Sequence, residues 1–99
     1  MVILGTELKI NINVEPVDNV HLAECEFVAT FYANSEKSLT INKSEMIYKD
    51  IDNYIALVDS QLLGKGLVRM KLEVEIPDKD FPDGYRKEIG VVCTNIVIH

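Results

Sequence analysis

The sequence predicts an all-β domain, a β-sandwich of six or seven mostly antiparallel strands. Three observations predict it. Apolar and polar residues alternate with a period of two along most of the chain, the mark of strands with one dry and one wet face. Turn residues cluster between the alternating stretches at short spacing. No stretch of ten or more residues carries a 3.6-residue apolar period, so almost no helix is expected. Length fits one domain over residues 1–99, since 99 residues build one modest core.

The first strand is expected around "ELKININV", where Leu8, Ile10, Ile12 and Val14 alternate with Glu7, Lys9, Asn11 and Asn13. "EPVDN" at 15–19 is a turn. "AECEFVATFY" at 23–32 puts Cys25, Phe27, Ala29 and Phe31 on one face. "ANSEK" at 33–37 ends it. Shorter strands are expected in "SLTINK" (38–43), "MIYK" (46–49) and "YIALVD" (54–59), with "DIDN" (50–53) between the last two. Ser60, followed by Gln61, Leu62, Leu63 and Gly64, fits one helical turn with a serine cap and a glycine stop. Ser44 fits a similar cap before Met46. Then Val68, Met70, Leu72, Val74 and Ile76 alternate with Arg69, Lys71, Glu73 and Glu75 in a long strand. The tail "YRKEIGVVCTNIVI" (85–98) is one long strand or two in succession.

Composition excludes several functions. Sixteen acidic residues against ten basic ones give a net charge of −6. Phosphate binding needs clustered Lys and Arg, and here they are scattered, so nucleic acid is not an expected partner. No run approaches the ~20 apolar residues of a membrane span. The start "MVILGTELKI" has neither a basic region nor an apolar run of secretory length, so synthesis is expected to leave the protein in the cytoplasm.

The segment "PDKDFPDGYR" (77–86) looks at first like a calcium loop. Counted from Asp78, however, the glycine falls seventh instead of sixth, and the twelfth place holds Ile89 instead of a bidentate acid. Turn chemistry accounts for it better. Pro77 ends a strand, Pro82 fixes φ, Asp83 bonds its own backbone and Gly84 takes positive φ. Phe81 is expected to plug one end of the sandwich, with Arg86 pairing to an aspartate of the loop.

Cys25 and Cys93 are expected as two free, buried thiols. Their early and late placement matches the bridge of immunoglobulin domains, but the packing tryptophan is missing. His21, Glu24 and Cys25 form H-x-x-E-C, yet strand geometry points Glu24 and Cys25 to opposite sides, so no metal site is expected. No serine or cysteine has a base and an orienting third group beside it in the sequence. The many acids leave a carboxylate pair open, but a sandwich this small has little room for a cleft. Tyr32, Tyr48, Tyr54 and Tyr85 fit a sugar platform or, more commonly, strand filling with the hydroxyl at the rim. No catalytic residue, cofactor or metal is expected.

The ordered run "LTINKSEMIYKDIDNYIALVDSQLLGKGLVRMKLEVEIPDKDFPDGYRKEIGVVCTNIVI" resembles small immunoglobulin-like modules of phage tail and baseplate proteins. The N-terminal domain of a baseplate upper protein belongs to that family, as do similar short proteins of Bacteroidetes and their prophages. The likeness lies in the order of "LTI", "KSEM", "NYIALVD", the turn ending at Gly64 and Gly66, a long strand and "DFPDGYRKEI". It spans roughly residues 7 to 98. It implies an immunoglobulin-like sandwich with a structural, non-enzymatic role among other virion proteins, tail, baseplate or fibre. The family has no catalytic residues to carry over. A carbohydrate- or ligand-binding sandwich is the alternative.

The closing strand poses a problem of phase. Ile89, Val91, Cys93 and Val97 share one face; Val92, Ile96 and Ile98 share the other. Either a bulge at Thr94 and Asn95 flips the phase, turning Ile89, Val91, Cys93, Ile96 and Ile98 inward and leaving Val92 and Val97 outside, or another chain covers the second face. Val92 and Val97 are therefore the candidate partner-binding residues, for self-association or for another virion protein.

Overall fold

The computed structural model describes residues 2–14 and 20–99, and the turn expected at 15–19 lies outside them. Seven strands form two antiparallel sheets. They are β1 (Glu7–Asn13), β2 (Glu26–Tyr32), β3 (Ser38–Asn42), β4 (Ile47–Asp50), β5 (Asn53–Asp59), β6 (Gly66–Pro77) and β7 (Tyr85–Ile98). One sheet has the order β1-β5-β4 and the other β3-β2-β6-β7. The pairings β1 with β5 and β2 with β6 are the crossovers, and the three-stranded sheet faces the four-stranded one as a sandwich; β2 lies between β3 and β6, whereas in immunoglobulin domains the second strand lies between the first and the fifth.

Alternation builds the core. β1 contributes Leu8, Ile10 and Ile12; β2 contributes Phe27, Ala29 and Phe31; β5 contributes Tyr54, Ala56 and Val58. β6 adds every second residue from Val68 to Ile76. Phe27 and Tyr54 meet edge to face across the two sheets, their centroids 5.0 Å apart. Such a pair adds about 0.5–1.5 kcal/mol beyond its buried area. Lys43 staples the margin: its Nζ donates to Ala23 O at 2.8 Å and Cys25 O at 2.7 Å, beside the Phe27 ring.

Both short turns form, but neither serine caps its turn. Residues Lys43–Glu45 make one 3-10 turn, where the Glu45 carboxylate accepts the Asn42 N–H at 3.1 Å. In the turn Ser60–Leu62, Asp59 is the cap and accepts the Gln61 N–H at 2.9 Å. Ser60 is instead fully buried, and its Oγ accepts the Gly5 N–H at 2.8 Å. Gly66 opens β6 at φ 132°, where a Cβ would stand 2.4 Å from Ala33 O. Glycine is required there.

The tail is one strand, and its irregularity differs from the one expected. Cys93 lies opposite Arg69 and Val97 opposite Leu67, so residues 94–96 face Val68 alone. Two residues are inserted, not one. An even insertion leaves the phase unchanged. Val92 pairs with core-facing Met70, whereas Ile89, Val91 and Cys93 pair with Glu73, Lys71 and Arg69 on the outer face. Asn95 takes the bend with φ 64°. Thr94 Oγ1 donates to Val68 O at 2.8 Å and accepts the Ile96 N–H, so the detour keeps its polar groups bonded.

Candidate interaction edge

β7 is an outer strand of the larger sheet, and its free side can be read from the hydrogen bonds. Asp78 N–H donates to Gly84 O and closes the β6–β7 hairpin. Bonded and non-bonded pairs alternate along an antiparallel ladder. Arg86, Glu88, Gly90 and Val92 therefore exchange bonds with β6. Tyr85, Lys87, Ile89, Val91 and Cys93 aim their N–H and C=O groups away from the sheet. The other end agrees: His99 N–H donates to Val2 O at 2.8 Å and His99 O accepts the Leu4 N–H at 2.9 Å, both on the far side from β6. The N-terminal residues thus cover the last part of this edge, and among the described residues none pairs with the outer side of 87–93.

The open stretch is apolar on both faces. Ile89 is 57% exposed, Val91 60% and Val92 51%. Val92 points to the core side, but the three-stranded sheet stops short of it; its partner Met70 is 7% exposed. Proteins ordinarily blunt such an edge with charge, proline or a bulge. Here the charges stop at Glu88 and the bulge begins at Thr94. Val97 is also exposed but belongs to the outer face, opposite Leu67. Val92 and Val97 therefore lie on opposite faces and do not make one surface. Sequence reasoning missed Ile89 and Val91 because it turned them inward through the bulge. Lys71 and Glu73, their neighbours on β6, are the signal that could have placed them outside.

The outer face next to this edge is charged. Glu26 lies directly opposite Glu75, and Lys87 flanks Glu75 from the other side. Lys71 pairs with Glu73 at 3.1 Å on the surface.

The other singled-out residues do not converge. In the loop 78–84, the Asp78 carboxylate accepts the Asp80 N–H and the Asp83 carboxylate accepts the Tyr85 N–H, at 3.0 and 3.1 Å. Gly84 has φ 82°, and Arg86 lies 3.6 Å from Asp78, as turn chemistry required. Phe81 is no plug: it is 42% exposed at the hairpin tip, because β6 and β7 carry the loop out past the sandwich core. His21 Nδ1 lies 3.0 Å from Asp52, Glu24 is exposed and Cys25 is buried. Cys93 is exposed, contrary to the buried thiol expected, because its face of β7 is the outer one. Burial raises the Cys25 thiol pKa, with nearby Lys43 opposing and Glu24 adding to the shift. Tyr54 is buried against Phe27, Tyr48 stacks edge-on upon it at 5.5 Å, and Tyr32 and Tyr85 sit on the other sheet. The four tyrosines form no common platform.

Among the described residues no helix is long and apolar enough to cross a membrane. No family model, no curated protein and no solved structure matches the chain.

Proposed function

We propose that the protein is a non-enzymatic structural module that binds other proteins through the open edge of β7, in the tail, baseplate or fibre of a phage or prophage virion. One observation carries the binding part: seven residues of regular strand, 87–93, keep a backbone edge that no described residue pairs with, flanked by exposed Ile89, Val91 and Val92. A strand with free main-chain groups and apolar side chains is the substrate of β-strand addition, where backbone bonds give affinity and alternate side chains give specificity. The phage assignment rests on the resemblance of residues 7–98 to immunoglobulin-like baseplate modules, and the seven-stranded, two-sheet architecture is compatible with it. The scattered singled-out side chains give little support to the alternative of a sugar-binding module.

Mass spectrometry of purified virions from an induced lysogen encoding this chain tests the reading. The protein is expected among the tail components at a fixed ratio to them. Particles in which the other tail proteins are detected and this one is absent would overturn it.

A further inference from the structure

We infer that the partner of the β7 edge is β7 of a second copy of this chain, paired antiparallel about a two-fold axis through Gly90. The inference rests on β7 being the working edge, not on the particle in which the protein works.

The free stretch is bounded at both ends. On one side the Tyr85 N–H is already taken by the Asp83 carboxylate. On the other, Asn95 turns the chain out of strand geometry, and Val2 and Leu4 occupy the backbone of His99. Between these limits Lys87, Ile89, Val91 and Cys93 present outward groups, and Gly90 is the midpoint.

A two-fold axis normal to the sheet sets residues of equal parity opposite each other, so the possible registers are few. An axis at Lys87 or Glu88 would bring like charges face to face, which is destabilising. An axis at Ile89 would need the occupied Tyr85 for a full ladder, and an axis at Val91 would push Lys87 onto the bent Asn95. The axis at Gly90 uses every free group from 87 to 93. It places Ile89 of each copy opposite Val91 of the other on the outer face. Lys87 meets Cys93, Glu88 meets Val92, and no like charges face each other. At the axis itself nothing lies within 4 Å of where a Gly90 side chain would begin, so the face of the strand at the axis is clear and a cysteine placed there has room to reach its symmetry mate.

About eight backbone hydrogen bonds would form, two for each bonded pair. The edge would bury roughly 400 Å² on each copy, about half of a standard interface, so the dimer is a weak one. Each chain carries a net charge of −6, so the copies repel at long range. Screening relieves that repulsion, and the association therefore strengthens with salt.

The test uses the full chain in sedimentation runs from about 10 to 1,000 μM, at low and high salt. Val91→Pro removes one outward N–H and leaves the β6 ladder intact, the position in which an edge strand tolerates proline. Wild type is expected to reach dimer mass at high micromolar concentration, at lower concentration in high salt. V91P, with its fold checked by circular dichroism, is expected to need a roughly tenfold higher concentration or more. The register is read by cross-linking in a Cys93→Ser background: G90C is expected to give a covalent dimer on mild oxidation, and V91C to lag far behind. This second readout stands even where V91P fails to fold. Wild type monomeric throughout, or a dimer indifferent to V91P, would overturn self-pairing, and V91C cross-linking as fast as G90C would overturn the register. A monomeric wild type whose V91P variant drops out of virions refutes the second copy alone; a clean β7 dimer absent from virions refutes the virion role alone.

Discussion

β6 and β7 are the two arms of one hairpin, and both are rich in apolar residues, yet they end in opposite surroundings. Val68, Met70, Leu72, Val74 and Ile76 of β6 are all at most 9% exposed. Ile89, Val91 and Val92 of β7 are all more than half exposed. Neither composition nor strand propensity separates them. Lateral position does. β6 lies between β2 and β7 with the second sheet beneath it, whereas β7 over residues 87–93 has a described neighbour on one side only, and Val92 is half exposed. The hydrophobic drive that fixes β6 is therefore left unspent on β7, and that makes β7 available to a partner.

The comparison breaks most easily by truncation. Leu72→Ala is expected to destabilise by about 2–5 kcal/mol, since it opens a cavity between the sheets. Ile89→Ala, on the next strand, is expected to stay within about 0.5 kcal/mol in the monomer. Denaturant midpoints of the two variants below the dimerisation range check this. Comparable losses would mean that β7 is packed as β6 is.

Two glycines sharpen it. Gly66→Ala at the start of β6 meets Ala33 O and a backbone region reserved for glycine, so a loss of about 1–3 kcal/mol or more is expected. Gly90→Ala in mid-β7 meets nothing, and its φ is not positive. There the stiffer unfolded chain is expected to stabilise by about 0.4–1 kcal/mol. Thermal melts of both variants decide.

The thiols report the same contrast kinetically. Cys25, buried and with its pKa raised by that burial, holds less thiolate at neutral pH than an ordinary cysteine. Exposed Cys93 is expected to react with a disulfide reagent at once, and Cys25 only on unfolding, with both counted in denaturant. Two fast thiols in the native protein would place Cys25 outside the core. At the hairpin tip the effect is smallest: Phe81→Ala is expected to shift stability by no more than about 0.5 kcal/mol.

The sequence made much of the fold legible. Alternation in β1, β2 and β6 assigned every inward residue correctly, because one wet face per strand leaves a periodic trace. The loop 78–84 was readable too, since Asp, Pro and Gly act on their own backbone. β7 was not. Its two apolar faces carry no trace of which one is dry, and the phase hangs on whether one or two residues are inserted near Asn95. Phe81 misled for a related reason, as an aromatic in a loop says nothing of how far the hairpin reaches. The caps were misassigned by one or two residues: Asp59 and the Asn42–Glu45 pair do what Ser60 and Ser44 were expected to do.

The most direct test is amide hydrogen exchange along β7, residue by residue. In dilute protein a period of two is expected: Glu88, Gly90 and Val92 slow, Lys87, Ile89, Val91 and Cys93 fast. At concentrations of several hundred micromolar the fast set is expected to slow as well, while the exchange of β6 stays as it was. Uniform slow exchange over 87–93 in dilute protein, or a fast set unmoved by concentration, would contradict an open edge that pairs with its own copy.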